Sequence, residues 1–93
     1  MPFVEQQARL FNRNEIEALN RGQYGVYGLH HDRWVYVGKG EIRQRLLDHL
    51  NGDNRCIALE RPTHFVGEVT SHADERERAS IQEFTPSCNK RVG

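Results

Sequence analysis

Several side chains in the middle of this 93-residue sequence are of types that bind anions or move protons. The phenols of Tyr27 and Tyr36, the ammonium group of Lys39 and the guanidinium group of Arg45 can all donate hydrogen bonds to an anion. His49 follows Arg45 by four residues, so the two side chains share one side of a predicted helix. Such residue types could together hold an anionic group and transfer a proton, but each also has a structural interpretation: the tyrosines as core aromatics, Lys39 as a loop cation and His49 as a packed interface histidine.

A carboxylate further along the chain belongs to the same set of candidates. The last predicted helix has an inward face with spacings of four, four and three residues, formed by Ala73, Glu77, Ile81 and Phe84. An unpaired carboxylate in a buried face is costly, so Glu77 must meet a cation, a metal ion or hydrogen-bond donors. An ion pair between Arg45 and Glu77 is the purely structural alternative.

A predicted β-hairpin has to position the two tyrosines. Residues 24–29 (YGVYGL) and 33–38 (RWVYVG) are rich in aromatic and β-branched residues, as strands are. If His31 and Asp32 form a two-residue loop, residue i pairs with residue 63 − i, and Tyr27 lies directly opposite Tyr36. A slip of one residue in this register would move one tyrosine to the other face.

The remaining elements complete a small α+β fold. The chain is short enough for a single domain, which we divide into an N-terminal helical extension over residues 1–22 and a core over residues 23–90. The core is predicted to contain helices over residues 41–50, 54–60 and from about 71, and a third strand over residues 63–70. The expected architecture is therefore a three-stranded antiparallel sheet flanked by helices.

Composition excludes several classes of protein. The formal net charge is zero, which argues against a protein that coats nucleic acid by bulk attraction. Arginine supplies eleven of the thirteen basic residues, and its donor fork suits phosphate or carboxylate binding. No apolar run is long enough for a membrane helix, and no membrane partner is expected. Cys56 and Cys88 are too few for a disulfide scaffold, so a cytoplasmic location is the expectation.

The spacing of these residues resembles the catalytic domain of the GIY-YIG nuclease superfamily. The two signature tripeptides correspond to Gly25-Val26-Tyr27 and Tyr36-Val37-Gly38, the second followed by Lys39. The other matched positions are the helix arginine Arg45 (with Arg43 as the alternative), His49, the glutamate Glu77, and Asn89 at the end of Phe84-x-Pro86-x-x-Asn89. The resemblance covers roughly residues 23–90.

This resemblance implies a metal-dependent endonuclease that hydrolyses phosphodiester bonds in nucleic acid, with DNA as the favoured substrate. It implies one Mg²⁺ or Mn²⁺ ion held by Glu77, a catalytic set of Tyr27, Tyr36, Lys39, Arg45, His49 and Asn89, and nucleic-acid contacts from Lys39, Arg43 and Arg45. Tyr27 would act as the base, and Lys39 would lower its pKa. His49 would relay the proton or orient a tyrosine hydroxyl.

Two other functions remain open on the sequence alone. One is a catalytically silent module that binds nucleic acid or a protein partner on the same scaffold. The other is a small structural protein stabilised by an Arg45–Glu77 pair. For the nuclease, a neutral chain predicts weak, salt-sensitive binding, and hence action as a homodimer or with a separate targeting protein.

Overall fold

The computed structural model describes residues 8–89, which form one antiparallel sheet with helices on both of its faces. The elements, in chain order, are β1 (Arg9–Leu10), α1 (Arg13–Glu17), β2 (Tyr24–His30), β3 (Trp34–Glu41), α2 (Ile42–Leu50), α3 (Arg55–Glu60), β4 (His64–Val69), α4 (Ala73–Phe84) and a 3-10 turn (Ser87–Asn89). Within the described residues, no helix combines the length and the apolar character that a membrane crossing requires.

The sheet has four strands in the order β1-β4-β2-β3, so the prediction of three strands was wrong. The additional strand, Arg9–Leu10, pairs with Phe65 and His64 on β4. Two residues are too few to display the alternation by which strands are predicted from a sequence. The long strand β2 lies in the interior of the sheet, between β4 and β3.

The N-terminal part of the chain also differs from the prediction of a helical extension over residues 1–22. Its described part contains one short helix, α1, and residues 1–7 lie outside the described residues. Asn12 caps α1, because its side chain accepts a hydrogen bond from the backbone N–H of Glu15. Ile16 is fully buried in the main core, so α1 is part of the domain rather than an appendage to it.

The hairpin register differs from the prediction by two residues. Tyr27 lies opposite Gly38, and Tyr36 lies opposite Leu29. One residue of this shift comes from the loop, which has three residues because His30 pairs with Trp34. The other comes from a bulge.

The bulge residue is Val35, which lies between the partners of Leu29 and His30. Each one-residue shift by itself would turn the side chains of one strand to the opposite face. Two shifts restore the original face, and the ring centroids of Tyr27 and Tyr36 are 6.3 Å apart. The predicted register, with Tyr27 directly opposite Tyr36, was therefore wrong. The predicted placement of both tyrosines on one face of the sheet is confirmed.

The two faces of the sheet carry separate hydrophobic clusters. On one face, Tyr27 and Leu29 pack with residues of α1, α2 and α3. On the other face, Val26, Val37 and Val66 pack against α4. The α2, α3, β4 and α4 elements confirm the corresponding predictions to within about two residues at each boundary.

The C-terminal segment connects the two faces around the edge strand β3. The amide of Asn89 accepts a hydrogen bond from Val37 N–H at 2.7 Å and donates one to Val37 C=O at 2.9 Å. The adjacent Cys88 forms a disulfide with Cys56 on α3. No local pattern signals this pairing, because the two cysteines are 32 residues apart and meet through the tertiary fold.

We expect this disulfide to contribute substantially to stability. Closing a loop of this length in the unfolded chain corresponds to about 3 to 4 kcal/mol in the chain-entropy treatment. Urea unfolding of the oxidised protein should therefore give a higher free energy of unfolding than unfolding of a Cys56→Ser/Cys88→Ser variant. Reduced wild-type protein is the control and should match that variant. Equal stability of oxidised and reduced wild-type protein would contradict the expectation.

Candidate functional site

Tyr27 is the centre of the candidate site, and its position in β2 explains its environment. Both cross-strand neighbours of Tyr27 are glycines, Gly38 on β3 and Gly67 on β4. The ring is fully buried. Its hydroxyl lies 2.7 Å from Nε2 of His49, which is buried as well. A buried hydroxyl requires a partner, and helix α2 supplies one.

Gly38 is required at its position by close packing. A Cβ atom at Gly38 would lie 2.4 Å from the Tyr27 hydroxyl oxygen and 2.8 Å from a ring carbon of Tyr36. A Cβ atom at Gly67, on the other side of Tyr27, would meet the nearest atom of Ile42 at 3.4 Å, an ordinary contact. The glycine of the Tyr36-Val37-Gly38 tripeptide therefore makes room for the phenol of Tyr27.

Helix α2 brings His49 and Arg45 to the tyrosines, as their four-residue spacing predicted. The His49 ring packs edge-on to the ring of Tyr36, with centroids 5.1 Å apart. Arg45 interacts electrostatically with both phenols, and its side chain is 40% exposed. Arg43, the alternative to Arg45, lies partly buried in the first turn of α2. The geometry therefore favours Arg45 as the arginine of the site.

The pKa values of both phenols are raised. Burial is the main cause for Tyr27, followed by the neighbouring Tyr36, while the positive charge of Arg45 acts in the opposite direction. Burial also raises the pKa of Tyr36, which Arg45 lowers and Glu77 raises further. The protein by itself therefore holds the Tyr27 phenol in its neutral form, and the cation that opposes this effect is Arg45.

Lys39, to which the sequence analysis assigned that role, belongs to a different group of charges. Its ammonium group bonds the carboxylate of Asp74, and this contact raises the pKa of Lys39 and lowers that of Asp74. The ammonium also lies 3.8 Å from the carboxylate of Glu77. The expectation that Lys39 lowers the Tyr27 pKa is therefore wrong, because two acidic residues of α4 hold this lysine.

Glu77 lies on the helix that packs against the opposite face of the sheet from Tyr27. One turn further along α4, Ile81 contacts the cluster of Val26 and Val37. At the β3 edge, the Glu77 carboxylate comes close enough to Tyr36 to raise the pKa of that phenol. The Arg45–Glu77 ion pair is not formed, since Arg45 pairs with Asp48 at 3.5 Å and Glu77 with Lys39.

A single Mg²⁺ ion fits the donor chemistry of Glu77. The side chain is 24% exposed, and one carboxylate oxygen is sufficient for an ion that keeps several waters. Within residues 8–89, no cluster of three or more His, Cys, Asp or Glu side chains is arranged to hold a metal ion. Any ion at Glu77 would therefore take most of its ligands from water and from a bound phosphate.

Asn89 and Asp53 each bind a residue next to or within the tyrosine cluster. Asn89, predicted to be catalytic, binds both backbone groups of Val37 and so holds β3 between Tyr36 and Gly38. Asp53 was missed by the sequence analysis, although its carboxylate lies 2.8 Å from Nδ1 of His49. A carboxylate four residues after a helix histidine, just beyond the predicted end of this helix at residue 50, was the available signal.

Comparison of the chain with known protein families, curated proteins and solved structures finds no match.

Replacing Gly38 by alanine should displace the Tyr27 phenol, whereas the same change at Gly67 should not. Overpacking of this kind costs about 1 to 3 kcal/mol, and we expect Gly38→Ala to lower the free energy of urea unfolding by that amount. Gly67→Ala is the matched control on the other side of Tyr27 and should remain within about 1 kcal/mol of wild type. Equal losses for the two variants would contradict this account of Gly38.

The raised pKa of Tyr27 predicts a dependence of stability on alkaline pH. In the unfolded chain a tyrosine ionises near pH 10, whereas folded Tyr27 keeps its proton at that pH. The free energy of unfolding contributed by Tyr27 is therefore fully present below about pH 10 and is lost as the pH rises further. Unfolding of wild type and Tyr27→Phe across this range measures it. Phenolate absorbance from Tyr27 near neutral pH would contradict the prediction.

Proposed function

We propose that this chain is a metal-dependent endonuclease of the GIY-YIG type, which hydrolyses phosphodiester bonds in nucleic acid, with DNA as the favoured substrate. The observation that carries the proposal is the cluster of Tyr27, Tyr36, Arg45 and His49 on one face of the sheet. These residues come from two strands and a helix, and they combine an anion-binding group with groups that exchange protons.

Arg45 is the proposed phosphate-binding residue. A partly exposed guanidinium group beside two neutral phenols can form charge-assisted hydrogen bonds with phosphate oxygens. Its present partner, Asp48, is 3.5 Å away and partly exposed, and ion pairs of this kind contribute little. A phosphate can therefore replace Asp48 at small cost.

Tyr27 is the proposed residue that takes the proton from the attacking water, a role that requires bound substrate to open a path from solvent to its buried hydroxyl. Its neutral state in the protein means that the phenol must first pass its own proton to an acceptor, and Nε2 of His49 is in hydrogen-bond contact. The positive charge of Arg45 stabilises the phenolate that results. The ring of Tyr36 lies next to the rings of Tyr27 and His49, and its hydroxyl would orient the water or the phosphate.

Glu77 is the proposed ligand of one Mg²⁺ or Mn²⁺ ion. When bound, the ion would neutralise charge that develops on the phosphate and on the leaving oxygen. Substrate phosphate would have to bridge the β3 edge, since Glu77 belongs to the α4 side and Arg45 to the α2 side. The proposed nucleic-acid contacts are Lys39, Arg43 and Arg45.

Partners and location are part of the same proposal. A chain of zero net charge would bind nucleic acid weakly, so we propose action as a homodimer or with a separate targeting protein. We also propose a cytoplasmic location, as expected from the sequence. The Cys56–Cys88 disulfide argues against this location, because cytosolic thiol reductants oppose such bonds.

A second candidate function is a silent module that binds nucleic acid or a protein partner. Two observations favour it. Lys39 is held in ion pairs by Asp74 and Glu77, and burial keeps the Tyr27 phenol in its neutral form. Either feature would suit a protein that has retained the scaffold without the reaction.

Cleavage assays distinguish the two functions. Supercoiled plasmid and short branched or single-stranded substrates are incubated with Mg²⁺ or Mn²⁺, or with a chelator. We expect metal-dependent nicking that falls by at least about a hundredfold in Glu77→Gln, Arg45→Ala and Tyr27→Phe, because these variants remove the proposed metal ligand, phosphate-binding residue and base, respectively. Glu83→Gln is the matched control, since Glu83 is exposed on the same helix as Glu77.

Nicking that is lost in Glu77→Gln and kept in Glu83→Gln supports the nuclease. Binding of the same substrates without nicking by the wild-type protein would support the silent module instead. Cleavage that persists in purified Glu77→Gln would show that another group holds the metal ion.

A further inference from the structure

A continuous hydrogen-bonded chain of three side chains joins the sheet, helix α2 and the turn that follows this helix. The Tyr27 hydroxyl lies 2.7 Å from Nε2 of His49, and Nδ1 of His49 lies 2.8 Å from the carboxylate of Asp53. The side chain of His49 is 1% exposed and that of Asp53 is 38% exposed. Both imidazole nitrogens therefore have protein partners, and solvent reaches the chain at its Asp53 end.

The chemistry of the three groups gives this chain a direction. An ionised carboxylate can only accept hydrogen bonds, so Nδ1 of His49 must carry the hydrogen that it donates to Asp53. In neutral imidazole the other nitrogen is then an acceptor. Nε2 therefore accepts a hydrogen bond from the Tyr27 hydroxyl, which is the arrangement required for His49 to receive the Tyr27 proton.

The position of Asp53 is built into the end of helix α2. Gly52 adopts a left-handed conformation with φ of 88°, and its N–H donates to the His49 carbonyl at 3.1 Å. The N–H of Asp53 donates to the Asp48 carbonyl at 3.2 Å. This pair of hydrogen bonds is the Schellman arrangement, which turns the chain back along the helix. The turn thereby presents the Asp53 carboxylate to the last turn of α2, where His49 lies.

The charges around the chain favour proton movement from Tyr27 to His49. The transfer creates a phenolate and an imidazolium group. The phenolate would form beside Arg45, which already interacts with Tyr27, and the imidazolium would form against the carboxylate of Asp53. Each new charge therefore has an opposite charge next to it, in a site from which burial excludes most water.

We propose that Asp53 is a positioning residue, which sets the tautomer of His49 and so makes His49 the acceptor for the Tyr27 proton. The part of this inference that concerns cleavage rests on the proposed nuclease function. Tyr27 passes its proton to Nε2, and the phenolate oxygen takes a proton from the attacking water. The water oxygen bonds to phosphorus as the bond to the leaving oxygen breaks. The leaving oxygen then takes a proton from solvent. His49 releases the proton that it received from Tyr27 to solvent.

The tautomer itself can be measured without any substrate. Nitrogen-15 NMR of the histidine side chains, at a pH where His49 is neutral, should show hydrogen on Nδ1 and none on Nε2 in the wild-type protein. Asp53→Ala should shift the population towards hydrogen on Nε2, while the control Glu83→Gln should leave it unchanged. Hydrogen on Nε2 in wild type, or the same tautomer in wild type and Asp53→Ala, would overturn the proposal.

Cleavage kinetics test the consequence of the tautomer. Asp53→Ala and Asp53→Asn should lower kcat by about a hundredfold, in the range of general acid–base effects, with little change in KM. Thermal unfolding checks that both variants fold, which we expect because Asp53 is partly exposed. Wild-type kcat in both variants would overturn the role of Asp53 and leave the nuclease standing. If wild-type protein cleaves no substrate, the nuclease fails and the NMR result still decides the role of Asp53.

Discussion

The buried hydrogen bond between the Tyr27 hydroxyl and His49 is the interaction on which the rest of the candidate site depends. A phenol in the interior of the sheet must have both space for its ring and a partner for its hydroxyl group. Gly38 provides the space, and helix α2 provides the partner. The same requirement explains why a glycine follows the second tyrosine by two residues, since a methyl group at Gly38 would occupy the position of the hydroxyl.

The edge strand β3 divides the charged groups of the site into two sets. Arg45 and His49 lie with the tyrosines on the α2 side, whereas Lys39, Asp74 and Glu77 form their own group on the α4 side. Tyr36 lies close enough to both sets to interact with each of them, because Arg45 lowers and Glu77 raises the pKa of its phenol. The Asn89 amide binds the strand that separates the two sets, and the disulfide holds the adjacent Cys88 against α3. The distance between the two sets therefore depends on how the C-terminal segment folds.

The strand that carries Tyr27 and the helix that carries His49 were predicted from the sequence, whereas the contacts of Lys39 were predicted wrongly. Tyr27 lies on a hairpin strand and His49 on a helix, and the residues of each element predict its type. The resemblance implied that Lys39 is the cation that lowers the pKa of Tyr27. The structure turns Lys39 towards α4 instead, where Asp74 and Glu77 present two carboxylates. Side chains alternate between the two faces of a strand, so Lys39, three residues after Tyr36, belongs to the face opposite to both tyrosines, and the sequence carried this signal. Which helix covers that face is decided by packing.

By itself, the sequence determined the order and type of the elements from β2 to α4. These features depend on local periodicity, caps and stops, which a single stretch of chain carries. The tertiary structure alone decided the four-strand sheet order, the hairpin register with its bulge at Val35, the Cys56–Cys88 disulfide and the contact of Asp53 with His49. Each of these depends on side chains that meet through packing or through the exact path of a turn, so neighbouring residues do not specify them.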